Sequence, residues 1–245
     1  MSQRIIEPSA EEVVETAARL TLSILNEAIS SKGEAIWVLA GGTAPMATCA
    51  LLAAKYADHL DWSKVTLLIG DERCVPADHA DSSWHQIDKV FIGQLPFQPS
   101  RLLRPSAELG PEAAASAYQA TLQRLPLNQA GIPRFDLVWL GLGEDGHTLS
   151  LFPGHPSFRA TDELVIPVHN SPKPPPERIS FTLRALQATA HCLILTTGSS
   201  KAPILQRIMA GDQTPPIAQA AAIIERHGGQ VQWIVDEAAA TSPIA

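Results

Sequence analysis

Apolar positions along the chain follow two rhythms. From Ser9 onward, Val13, Val14, Ala17, Leu20, Ile24, Leu25 and Ala28 recur at helical spacing. Glu12 stands three residues after Ser9 in a capping-box pattern, and Gly33 is suited to close the helix. A short unbroken apolar run over 35–40 then ends at Gly41-Gly42; it is too brief for a helix and reads as a buried strand. The same grammar repeats, with strands over 65–69, 135–140, 191–196 and 231–235. Helical segments over 45–57, 111–125, 201–210 and 216–227 separate them, the last closed by Gly228. Continuous apolar strands alternating with helices predict an α/β fold: a mostly parallel, doubly wound, Rossmann-like sheet covered by helices on both faces. Segments 164–168 and 179–183 flank a proline-rich stretch and read as an edge or an excursion. No linker divides the chain, so 1–245 is expected to form a single domain.

Composition narrows the possible partners. Of 245 residues, 45% are apolar and 18% charged, which describes a soluble globular protein and excludes a disordered one. Lys plus Arg is 18 against 25 Asp plus Glu, a formal charge of −7 that argues against nucleic acid or an anionic membrane as partner. A local cationic pocket remains compatible with that total. Cys49, Cys74 and Cys192 form no C-x-x-C pair, so neither a zinc knuckle nor a disulfide framework is written here. The N-terminus lacks a signal-peptide pattern, and no 18-residue uncharged apolar run exists. The expectation is a cytoplasmic protein, with a monomer favoured and no metal or cofactor.

In open parallel sheets, ligands bind beyond the carboxyl ends of the strands. The chemically informative residues fall there. Gly41-Gly42-Thr43-Ala44-Pro45 follows the first of these strands and opens a helix whose free N–H groups suit a phosphate or carboxylate. Gly141-Leu142-Gly143-Glu144-Asp145-Gly146 matches G-x-G-x-x-G, but Pro153, Gly154 and Pro156 leave no room for a dinucleotide-binding crossover helix. What remains is Asp145-Gly146-His147, where an acid two residues from an imidazole can orient a group able to take and return a proton. A buried structural histidine is the plainer alternative; the glycine-rich strand-end position favours catalysis. Arg73, Arg178 and Lys201 lie near other strand or helix ends and together sketch an anion-binding pocket.

Taken jointly, these motifs resemble the 6-phosphogluconolactonase family. They are Gly41-Gly42-Thr43-Ala44-Pro45, Asp71-Glu72-Arg73-Cys74-Val75-Pro76 with His79-Ala80-Asp81-Ser82, Gly141 to His155, and Ser171-Pro172-Lys173-Pro174-Pro175-Pro176-Glu177-Arg178. The resemblance runs in the family's order from about Leu39 to Lys201. It implies cofactor-free hydrolysis of 6-phosphoglucono-δ-lactone in the oxidative pentose phosphate pathway. His147 would be the general base and Asp145 would orient it. Arg73 or glycine-loop N–H groups would meet the oxyanion, and Gly41, Gly42, Thr43, Arg73, Arg178 and Lys201 would bind substrate and its phosphate. Two departures stand out. The family's G-G-S-T-P is here Gly41-Gly42-Thr43-Ala44-Pro45, removing one hydroxyl, and its D-S-N is Asp81-Ser82-Ser83.

Two rival readings share the scaffold. Glucosamine-6-phosphate deaminases carry the same D-G-H turn but continue it into a segment with a catalytic glutamate, where this chain has Ser150-Leu151-Phe152-Pro153. Sugar-phosphate sensors usually carry a helix-turn-helix module, whereas the roughly 30 residues before the 35–40 strand read as one acidic amphipathic helix.

Overall fold

The structure, a computed structural model, describes residues 3–96 and 98–241. Among them, seven parallel strands form the central sheet: β1 (Gln3–Glu7), β2 (Ala35–Leu39), β3 (Val65–Ile69), β5 (Arg101–Leu103), β6 (Phe135–Gly141), β9 (Thr189–Thr196) and β10 (Gln230–Asp236). Their order is β1-β10-β9-β6-β2-β3-β5. Strands β4 (Asp71–Arg73), β7 (Val165–Val168) and β8 (Arg178–Phe181) form a separate antiparallel sheet in the order β4-β8-β7. The excursion expected around the proline-rich stretch is this second sheet.

Alternation along the strands divides the interior in two. Trp37, Leu39, Leu67, Leu137 and Trp139 face one way, against α1 (Ala10–Lys32), α2 (Thr43–Lys55) and α3 (Ser83–Val90). Ile36, Val38, Leu68, Val138 and Leu140 face the other, against α4 (Pro111–Leu122), α5 (Ala202–Met209), α6 (Pro216–Arg226) and the small sheet. The doubly wound sheet anticipated from the apolar runs is therefore the one observed. A last short helix, α7 (Glu237–Ala240), follows β10.

Helix α1 begins as its capping pattern requires. The Ser9 hydroxyl accepts from the Glu12 N–H, and Gly33 closes the helix at φ +84° with its N–H on the Ile29 carbonyl. Sequence periodicity missed β1, so the segment before β2 is a strand and a helix rather than a helix alone. β1 is half polar and lies at the sheet edge in parallel register with β10, Gln3 opposite Gln232 through Glu7 opposite Asp236. Among the described residues, no helix is long and apolar enough to cross a membrane.

Candidate active site

A cavity of about 330 Å³ opens over the carboxyl ends of the parallel strands. Four chain segments build it, each held by its own local device.

The first is the turn between β2 and α2. Gly42 sits at φ +100°, a conformation that strongly favours glycine, and α2 starts with no side-chain cap. Its first-turn N–H groups are open toward the cavity, which Gly41 to Pro45 line. Thr43 is exposed at the rim, whereas Ala44 is buried in the core, so the hydroxyl missing from the family pattern is missing from the inside of the turn.

The second is the run Asp71-Glu72-Arg73 on β4. Glu72 is only 2% exposed and accepts four hydrogen bonds: from the N–H groups of Arg73, Ser83 and Trp84 (2.7–2.8 Å) and from the Ser82 hydroxyl (2.9 Å). Burial pushes its pKa up, against the pull of those donors. The carboxylate ties the start of α3 to β4 and so brings Ser83 to the cavity, beside Gly41. Asp71 and Arg73 flank Glu72 and both face the cavity. Arg73 donates from one terminal nitrogen to the Asp81 carbonyl (2.7 Å), while its buried Nε has no partner among the described residues.

The third is the loop after β6. The Gly143 N–H donates to the His147 carbonyl (2.9 Å), and the Gly146 N–H to the Gly143 carbonyl (2.9 Å), closing a tight loop. His147 Nδ1 lies 2.5 Å from Asp145 Oδ1, and the imidazole leans on Phe152 with ring centroids 4.7 Å apart. The histidine side chain keeps 19% of its surface exposed. Burial holds its pKa below the usual histidine value, opposed by the Asp145 hydrogen bond and charge. For Asp145, burial acts upward but the His147 contacts prevail, and its pKa is lowered. No crossover helix follows Gly146; Thr148 and Leu151 instead pair as an isolated antiparallel bridge.

The fourth comprises the proline-rich loop and the turn before α5. Arg178 is 4% exposed, and the loop wraps it. Its Nε donates to the Pro175 carbonyl (3.0 Å), one terminal nitrogen to the Lys173 and Pro174 carbonyls (2.9 Å each), and the other to Ser150 Oγ (3.4 Å). Four of five N–H groups are thus engaged, leaving one for the cavity. Lys201 ends a one-turn 3-10 helix (Ser199–Lys201) just before α5, and its ammonium lies 3.6 Å from Glu144. Both Asp236 oxygens accept from the Gly198 N–H at 3.0 Å, fixing the start of that turn.

The structure therefore brings Gly41, Gly42, Thr43, Arg73, His147, Arg178 and Lys201 onto one cavity, with Asp145 behind His147. Sequence reasoning did not single out Asp71, Thr148, Lys173 or Thr196, which share the same lining, and it marked Ser83, also there, only as a departure from the family pattern. The Thr148 and Thr196 hydroxyls are buried without partners among the described residues. Asp71 and Lys173 stood inside the quoted motifs; nothing in the sequence distinguished the two threonines. No cluster of three or more His, Cys, Asp or Glu able to hold a metal occurs among the described residues.

Fold and site together define an α/β protein with a cavity over the carboxyl edge of a parallel sheet, between an acid-supported histidine and a cationic wall. Residues 8–233 match the family model described as glucosamine-6-phosphate isomerases/6-phosphogluconolactonase. A protein of Streptomyces coelicolor named 6-phosphogluconolactonase is 37% identical over 247 residues, covering 98% of this chain and 94% of its own. A human protein of the same name is 41% identical over 175 residues, 71% of this chain and 67% of its own. The solved 6-phosphogluconolactonase of Trypanosoma brucei superposes with a TM-score of 0.85 at 26% identity, covering 98% of each chain. The chain belongs to the glucosamine-6-phosphate isomerase/6-phosphogluconolactonase family.

Proposed function

We propose that this protein hydrolyses 6-phosphoglucono-δ-lactone to 6-phosphogluconate, the lactonase step of the oxidative pentose phosphate pathway. One observation carries the reading: an imidazole backed by a carboxylate at Nδ1 shares a cavity with an uncapped helix start and several cations. The names of the relatives agree with it.

With Nδ1–H donating a hydrogen bond to the Asp145 carboxylate, the Nε2 lone pair is left as the base. Nε2 takes a proton from water as the water oxygen bonds to the lactone carbonyl carbon, and the carbonyl oxygen becomes an oxyanion. Collapse breaks the bond from that carbon to the ring oxygen, and the imidazolium returns its proton to the departing oxygen. The products are a carboxylic acid, which ionises at neutral pH, and a hydroxyl on the sugar chain. Glycine-loop N–H groups or Arg73 meet the oxyanion. Gly42, Thr43, Arg178 and Lys201 hold the 6-phosphate, with Gly41 and Arg73 also against the substrate, fixing the ester against the base.

Offering the purified protein freshly generated lactone and, separately, glucosamine 6-phosphate tests the assignment. Rapid lactone consumption without ammonia release is expected. Ammonia release without lactone turnover overturns it.

A further inference from the structure

Positive charge outweighs negative in the cavity lining, where Asp71 is the one carboxylate among the described residues. The lining includes four cationic side chains, Arg73, Lys173, Arg178 and Lys201, in a protein whose formal charge is −7. Three of them have commitments: Arg73 to the Asp81 carbonyl, Arg178 to loop carbonyls and Ser150, Lys201 to Glu144. The Lys173 ammonium has no hydrogen-bond or ion-pair partner among the described residues.

Its backbone, by contrast, is pinned at both ends. The Lys173 carbonyl accepts from Arg178 (2.9 Å) and from the Ser171 hydroxyl (2.8 Å), and its N–H donates to Ser171 Oγ (3.3 Å). Prolines at 172, 174, 175 and 176 fix φ around it. A buried guanidinium and four prolines thus present one uncommitted ammonium to the cavity.

The reaction proposed above creates a second negative charge at the end of the substrate away from its phosphate, first as an oxyanion and then as a carboxylate. Resting on that reading, we infer that Lys173 is a catalytic cation of the hydrolytic step: its ammonium donates to the oxyanion beside His147 and afterwards pairs with the product carboxylate, rather than holding the phosphate. The charges around the imidazole agree with this placement. Lys173 and His147 line the same cavity, and the charges acting on the imidazole are those of Asp145 from its own loop, Asp71 from β4 and Lys173 from the proline-rich loop.

The experiment compares wild type with Lys173→Met, Lys173→Arg and Lys201→Met. With freshly generated lactone, Lys173→Met lowers kcat by at least about tenfold, as loss of an oxyanion donor does, while KM stays within about twofold. Inhibition by 6-phosphogluconate weakens in Lys173→Met without a matching rise in KM, because product but not substrate carries the carboxylate. The acid limb of its pH profile moves upward, since a positive charge no longer disfavours protonation of His147. Lys173→Arg restores most of the rate. Lys201→Met raises KM and product Ki together. A wild-type kcat in Lys173→Met, or a rise in KM with kcat unchanged, overturns the inference. Failure of the wild type itself to consume lactone overturns the proposed function, and the inference with it.

Discussion

Asp145 engages His147 twice: its Oδ1 lies 2.5 Å from the ring Nδ1 and accepts from the His147 backbone N–H at 3.2 Å. The second contact fixes the loop and the first fixes the ring, so one carboxylate sets both position and tautomer. His147→Ala is expected to lower kcat/KM by about 10²–10⁴, the usual value of a general base. Asp145→Asn leaves a similar shape but a different hydrogen-bond sense, and a loss of about 10² or more is expected. Steady-state assays on fresh lactone check both; unchanged turnover in His147→Ala removes the ring from the chemistry.

The pH dependence has a definite sign. Burial lowers the His147 pKa, so the neutral, basic imidazole persists below the usual histidine value of about 6.5. The acid limb of kcat/KM is accordingly expected below that value. Asp145→Ala removes the hydrogen bond and charge that oppose the lowering, so the limb moves further down even as the rate falls. A limb above the ordinary histidine value contradicts the burial argument.

Gly143 carries a steric prediction. A Cβ at this position would run into Nδ1 and Cε1 of the imidazole and crowd Asp145 Oδ1. Gly143→Ala is expected to keep the fold, because the collision is with side chains, but to displace the ring and lower kcat by about tenfold or more, since small misplacements at reacting groups are costly. Thermal melting alongside kinetics separates the two effects.

Arg178 and Lys201 are expected to part company. Arg178→Ala removes the donors to the Pro174 and Pro175 carbonyls and one of the two donors to the Lys173 carbonyl, and a stability loss of about 1–3 kcal/mol accompanies weaker substrate binding. Lys201→Ala removes a partly exposed cation and is expected to raise KM with little change in denaturation midpoint. A normal KM in both places the phosphate elsewhere. Glu72→Ala, which orphans the N–H groups of Ser83 and Trp84, is expected to cost about 2–4 kcal/mol by the same logic.

Much of the fold was legible because buried parallel strands are written as unbroken apolar runs, as in β2, β3 and β6, all but one of whose residues are buried. Edge strands lack that signature. β1 and the three-residue β5 are largely exposed, so their pattern carries no apolar run to detect. α3, only eight residues long, was missed although Ser82 caps it locally; its start is tied as well to Glu72, eleven residues upstream of Ser83, an interaction invisible to local periodicity. At the site, motif residues such as Gly42 and His147 announce themselves by position after a strand. Thr148 and Thr196 reach the cavity only through tertiary placement of the loops and strands that carry them.

The antiparallel register of the small sheet sets Arg73 directly opposite Arg178. Like charges across a strand pair repel, while Asp71, Glu72 and Asp81 act on Arg178 in the opposite sense. If an anion settles against these two arginines, occupancy and foldedness are coupled, and sulfate or phosphate alone is expected to raise the melting temperature with the logarithm of concentration; a melting temperature that ignores both ions counts against an anion site here.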